Sequence, residues 1–223
     1  MKNEQEVREQ FVSTAMSYFE TKQGDARHKE IVDLYNLFSP LPRGYKATYT
    51  DAWCAIFVSA IGIKLGWSDI ILPECSCGEM IKLYQASSLN KWEERDDYFP
   101  KFGDIIMYDW DDGTDYAVSD NKGSPDHVGI VIEINGSNFT VVEGNKSKSV
   151  AERKMRVNGR YIRGFCLPAF HTKITASNEP SPWAKYAISW AQQAGLSDCE
   201  RLKETMTREE AIVLAYRLFN MLK

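Results

Sequence analysis

Residues 51–66, DAWCAIFVSAIGIKLG, form a helix-length run that is apolar on nearly every face. A helix of that kind has no side to offer water, so the rest of the chain must surround it. Thr50 or Asp51 stands where an N-cap is needed, and Gly66 where the helix must end. Candidate neighbours lie on both sides. Residues 4–21 place Val7, Phe11, Val12, Ala15, Met16 and Phe19 at helical spacing. HKEIVDLYNLF (28–38) reads as a second short helix, stopped by SPLPRGY, whose prolines and glycine break regular structure. ECSCGEMIKLYQAS (74–87) predicts a further helix capped near Ser76.

After Pro100 the texture changes. GDIIMYDW (103–110), HVGIVIEIN (127–135), NFTVVEGN (138–145) and RYIRGFCLP (160–168) are short β-rich runs between turn residues. Asn135-Gly136 marks a hairpin, and residues 146–157 supply a further strand before the Asn158-Gly159 turn. Helices first and strands afterwards predict an α+β domain, with N-terminal helices packed on a central antiparallel β-sheet. This domain covers residues 1–170. A polar linker, HTKITASNEPSP (171–182), follows, and then a small C-terminal helical module over 183–223. Its helices are read at 183–195 and 207–222, the second opened by a Thr207/Glu210 capping box. Two such helices rarely bury enough to stand alone. They dock on the main domain, pair with another copy as a homo-oligomer, or bind something else. Trp183, Trp190 and Tyr216 read as core residues in each case.

Composition removes several classes. With 27 Lys and Arg against 31 Asp and Glu, the chain carries a net charge of −4. That argues against a domain held to nucleic acid or anionic lipid by bulk charge. No run approaches the ~18 apolar residues of a membrane span, so no membrane insertion is expected. The N-terminus has charges through its first nine residues and no apolar core, unlike a secretory signal. Five cysteines are too few for a disulfide scaffold and odd in number, which leaves thiols free for chemistry.

Cys54 sits just inside the start of the apolar helix, where free N–H groups and the helix dipole favour a thiolate. Such a sulfur is either a nucleophile or one more small buried apolar side chain. His127 begins the strand HVGIVIEI, so its ring reaches a strand end as a base or as a hydrogen-bonded structural group. Glu143 and Asn145 close the next strand. Counting outward from a turn at Asn135–Asn138 brings them beside His127–Ile130. A carboxylate or amide there can accept the imidazole N–H and fix its tautomer. Otherwise Glu143 is a solvated strand-end charge. Cys75 and Cys77 form a C-x-C pair with no second pair, a poor zinc set. The acidic run DWDDGTDYAVSD (109–120) departs from the EF-hand pattern at Gly113 and reads as a solvated loop. Neither Cys166 nor Cys199 suggests a role.

In order and spacing, TDAWCAIFVSAIG, KFGDIIMYDW, DHVGIVIEI and FTVVEGN resemble the CHAP family of cysteine, histidine-dependent amidohydrolases and peptidases. The resemblance covers residues 45–168 and implies a papain-like fold. It implies Cys54 as nucleophile, His127 as general base and later acid, Glu143 as the group orienting the histidine, and Asn145 as a further polar residue of the site. Asp104 is read as structural. The family's activity implies cleavage of an amide bond in peptidoglycan. HKEIVDLYN and PLPRGYKATYTDAWC resemble phage endolysins. That implies synthesis in the cytoplasm without a signal peptide and access to the Gram-positive wall after a holin opens the membrane. No cofactor is expected. Some family members bind calcium before the nucleophile, but here RGYKATYTD offers only Asp51. SPWAKYAISWAQQAGLSD with MTREEAIVLAYRL is similar to an S-layer homology motif and implies wall binding. Two rival readings are an intracellular Cys/His amidase or acyltransferase on a non-wall substrate, and a non-catalytic wall- or partner-binding module.

Overall fold

A computed structural model describes residues 3–95, 97–111, 123–174, 185–197 and 208–221. Two units are distinct, Glu4–Lys173 and a second that joins Met1–Asn3 with Ile174–Lys223. The first holds α1 (Glu4–Met16), α2 (Ala26–Leu37), α3 (Cys54–Lys64) and α4 (Cys77–Ala86), then six strands. These are β1 (Lys91–Glu93), β2 (Ile105–Tyr108), β3 (His127–Asn135), β4 (Asn138–Lys146), β5 (Ser149–Arg156) and β6 (Ile162–Leu167). They form one antiparallel sheet in the order β1-β6-β2-β3-β4-β5. The class is α+β, consistent with a papain-like CHAP fold, as expected.

The all-apolar helix explains the layering. Residues 54–62 of α3 are all buried. They share a core with Val7 and Phe11 of α1, Ile31 and Tyr35 of α2, and Val128, Ile130 and Val142 of the sheet. The sheet's other face carries a smaller cluster, including Ile106, Tyr108, Val131, Val141 and Phe165. β2 is therefore buried on both faces along its length, which accounts for the unbroken apolar run IIMY.

Boundaries differ from expectation where caps or packing override pattern. α3 begins at Cys54 with Trp53 at its N-cap, not at Thr50 or Asp51. Asp51 instead closes the preceding turn, accepting from Thr48 N at 2.7 Å and Tyr45 OH at 2.9 Å. α1 stops at Met16, short of residue 21, because the chain turns there to pair Lys22 with Ser149 at the sheet edge. SPLPRGY contains a 3₁₀ turn at Pro42–Gly44, and Phe170–Lys173 form another across the expected start of the linker. The short strand β1 was not foreseen. It pairs with β6, Trp92 opposite Cys166.

The second unit contains α5 (Lys185–Gln193) and α6 (Arg208–Met221). Leu196 is buried there, and its carbonyl accepts from Arg217 at 2.9 Å. Trp190 and Tyr216, expected as core, are exposed by 49% and 66%. Two helices of this length have too little facing surface to cover them. Trp183, Cys199, Thr207, most of the linker and residues 112–120 of the acidic run lie outside the described residues. Among the described residues no helix is long and apolar enough to cross a membrane.

One buried ion pair ties the helices to the sheet. Asp104, 1% exposed just before β2, accepts from Arg8 Nη1 of α1 at 3.0 Å. It also accepts from Tyr98 OH and Lys101 N, each at 2.7 Å. Arg8 further donates to Phe102 O at 2.8 Å. Replacing Asp104 with Ala removes the buried charge partner of Arg8 and leaves it Glu4, at 2.8 Å, and Phe102 O. The expected cost is about 3 kcal/mol of unfolding free energy, read by denaturant titration. A loss within experimental error would show that the pair does not anchor α1.

Candidate active site

The site is built where the first turn of α3 meets the start of β3 and the end of β4. The β3–β4 hairpin closes with Asn135 opposite Asn138, and its register sets Ile130 against Val142 and Val131 against Val141. Continuing that register brings Glu143 back beside the first turns of β3, diagonal to His127. Glycine makes the diagonal reachable. A Cβ on Gly129 would sit 2.8 Å from Glu143 Cγ, so only glycine lets that side chain lie across β3. Gly144 serves the other face. A Cβ there would lie 2.5 Å from Phe57 Cβ, so its absence lets β4 press against α3.

Three of the four expected residues come together. Cys54 is 6% exposed, His127 8% and Glu143 0%. His127 Nε2 lies 3.1 Å from Glu143 Oε2. With that nitrogen turned to the carboxylate, Nδ1 is the ring atom left for the sulfur. Asn145, the fourth, lies past Glu143 in a β-bulge, with a left-handed φ of 59°. Its side chain is partly exposed and takes no part in the bonding of His127 with Glu143.

Sequence reasoning missed the far side of Glu143. Arg153 on β5 donates through Nε to Oε1 and through Nη2 to Oε2 at 3.0 Å. The β4–β5 register explains it. Glu143 faces Ala151 and Val141 faces Arg153, so Glu143 and Arg153 are diagonal neighbours on one face. The alternation in SVAERKMR carried that signal, since it sets Arg153 between Ala151 and Met155. Arg153 also lies over Trp110, 4.8 Å from the ring centre, and over Tyr108 at 5.5 Å. Trp110 stacks on Tyr108 at 4.9 Å, and the Tyr108 ring lies 5.9 Å from His127. These aromatics wall in the imidazole.

The electrostatics follow from this packing. The Cys77 thiol, hydrogen-bonded to Cys54 at Sγ···Sγ 3.9 Å, is the largest influence on the Cys54 thiol and lowers it. Burial opposes it. His127 and the Ala55 N–H add to the lowering, and the thiol ends well below its ordinary value. Burial pushes His127 down, but bonds and charge from Cys54 and Glu143 outweigh it and raise the imidazole to about 9. Burial likewise pushes Glu143 up, and His127 with Arg153 hold it below the usual carboxylate range. Both shifts favour the thiolate–imidazolium form of the pair, the form that nucleophilic attack would need, over the neutral one. No side chain caps α3, so its first N–H groups can face an oxyanion formed at Cys54.

The remaining candidates stand apart. Asp104 belongs to the Arg8 anchor. Cys166 is fully buried in the sheet, and burial raises its thiol. Cys75 accepts from Arg43 Nη2 at 3.2 Å. Among the described residues no cluster of three or more His, Cys, Asp or Glu is placed to hold a metal. The carboxylate of Asp51 is taken up by Thr48 and Tyr45.

Residues 44–145, which include Cys54, His127, Glu143 and Asn145, match the family model of the CHAP domain. No curated protein and no solved structure matches the chain. The family match supports a hydrolase of the cysteine/histidine amidohydrolase and peptidase kind.

The shifted pair has a defined pH signature. The raised imidazole contributes stability that is fully present below about 6.5 and lost as pH rises through about 9. The lowered thiol has the opposite sign. Its contribution is present above 9.0 and lost as pH falls through the lowered value. Where the two windows overlap below 9 the slopes have opposite sign, so the pair is expected to make stability less steep in pH than either group alone. Imidazole NMR titration is expected to place His127 near 9, and Glu143→Gln to lower that midpoint by removing one of its two supports. A midpoint unmoved by the substitution would show the carboxylate is uncoupled from the ring.

Proposed function

We propose that this chain is a peptidoglycan hydrolase that cleaves an amide bond of the Gram-positive cell wall through a Cys54 thioester. The observation that carries the reading is the buried Cys54–His127–Glu143 series inside the CHAP-matched segment. Its chemistry suits acyl transfer from an amide. The Cys54 thiolate attacks the carbonyl carbon, and N–H groups at the start of α3 stabilise the oxyanion. His127, protonated at rest, gives its proton to the departing amine as the C–N bond breaks. The neutral ring then takes a proton from water, whose oxygen attacks the thioester and frees Cys54. Glu143 holds the ring in one tautomer through both steps and stabilises its charged form.

The bond is either the muramoyl–alanine amide or a peptide bond of the stem or cross-bridge. The likeness of the C-terminal segment to an S-layer homology motif supports wall attachment. In the proposed setting the protein is an endolysin, made in the cytoplasm and released to the wall through a holin-type opening. A calcium requirement is not part of the proposal.

Purified Gram-positive peptidoglycan is expected to release soluble fragments with the wild-type chain and none above background with Cys54→Ala. Glu143→Gln is expected to lower the rate about 100-fold, the scale of general acid–base assistance. Mass spectrometry of the new termini identifies the bond. A folded wild type that releases nothing from several wall chemotypes would turn the assignment toward an amidase of non-wall substrates.

A further inference from the structure

Cys77 has no place in the mechanism above, yet its sulfur lies 3.9 Å from the nucleophile's. Both sulfurs are buried. Each opens a helix, Cys54 at the start of α3 and Cys77 at the start of α4. The spacing is not left to chance. Ser59 of α3 donates to Glu74 O at 2.7 Å and accepts from Glu74 N at 2.8 Å. The Glu74 carboxylate, 3% exposed, accepts from Cys75 N, Ser76 N and Arg43 Nη2 at 2.7, 3.1 and 2.8 Å. Ser76 then caps α4 by accepting from Glu79 N. The segment 74–76 is thus fastened to α3 five residues beyond Cys54, and Cys77 follows directly.

We infer that Cys77 is a positioning residue of this site: its thiol donates a hydrogen bond to the Cys54 sulfur and holds that sulfur, ionised, in the line of attack. The inference rests on Cys54 being the nucleophile. A charge-assisted S–H···S⁻ bond needs one thiol and one thiolate. The surroundings divide the pair in that sense. His127 faces Cys54, whereas the bond to Cys54, burial, and the charges of the Cys54 thiolate and Asp126 keep the proton on Cys77. The donor has a cost as well as a benefit, because a better-stabilised thiolate is a weaker nucleophile per ion. Cys77 therefore trades intrinsic reactivity for a larger ionised fraction at low pH.

The test is iodoacetamide alkylation of the full chain across pH, followed on the Cys54-containing peptide by mass spectrometry. Cys77→Ala and Cys77→Val remove the donor, Val keeping the volume, and Cys77→Ser restores an O–H. The donor-less variants are expected to alkylate roughly 3- to 10-fold more slowly at the wild-type midpoint, the ionised fraction lost with one hydrogen bond to a charged group less the gain in reactivity per ion. On the alkaline plateau they are expected to react faster than wild type. Cys77→Ser is expected to fall between. Profiles of folded Ala or Val variants that superimpose on wild type, with only thermal stability reduced, would overturn the inference and leave Cys77 a packing residue. Alkylation needs no wall substrate. A failure of wall hydrolysis alone would therefore count against the proposed function and leave this profile intact.

Discussion

The structure is organised around one buried carboxylate. Glu143 has no exposure to water, and an ionised carboxylate in that position costs several kcal/mol unless it is fully paired. It is paired twice, to His127 on β3 and to Arg153 on β5. Those pairings dictate much else. They require β4 to lie between β3 and β5, glycine at position 129 so the side chain can cross, and glycine at 144 so α3 can come close. They also require an aromatic wall of Tyr108 and Trp110 that excludes water while accepting the face of Arg153.

In the ionised form that the shifts favour, charges alternate along the resulting line: Cys54 thiolate, His127 imidazolium, Glu143 carboxylate, Arg153 guanidinium. The line as a whole is neutral, which makes its burial tolerable. Arg153 alone among them reaches appreciably toward solvent, its side chain 29% exposed. An ion pair of this kind is weak evidence of stabilisation, because apolar side chains of similar volume would serve the fold as well. Its presence is better explained by what it does for the sulfur and the ring. The imidazole keeps its proton to about 9, and the same contacts favour the thiolate at Cys54, as the proposed attack on a carbonyl would need.

The layering, the helix bearing Cys54 and the β3–β4 hairpin were legible in the sequence, because each rests on a local pattern. The face-less apolar run can only be a buried helix. Asn135-Gly136 fixes a register that carries Glu143 back toward His127 without any knowledge of the rest of the fold. Arg153 was not legible as a site residue, because its role depends on β5 adding to the far edge of the hairpin. Cys77 was visible but read with Cys75 as a C-x-C pair, when its partner is 23 positions away across two helix starts. The N-cap of α3 was misplaced for a related reason. Asp51 has the chemistry of a cap, but Thr48 and Tyr45 engage it first, and Trp53 takes the position with no side-chain bond to the helix.

That uncapped start has a physical consequence. A side-chain cap would satisfy N–H groups at the beginning of α3 and place an oxygen beside Cys54. Both would oppose the proposed chemistry, the first by occupying donors an oxyanion needs, the second by adding negative charge next to a thiolate. Trp53 is fully buried and cannot cap. The local stability forgone, about 1 kcal/mol for a missing cap, is small against the burial of nine consecutive residues of the helix. A helix held in place by its surroundings on every side can leave its first turn unsatisfied. The apolar run that constrains the fold is therefore also what allows Cys54 to sit on a bare helix end.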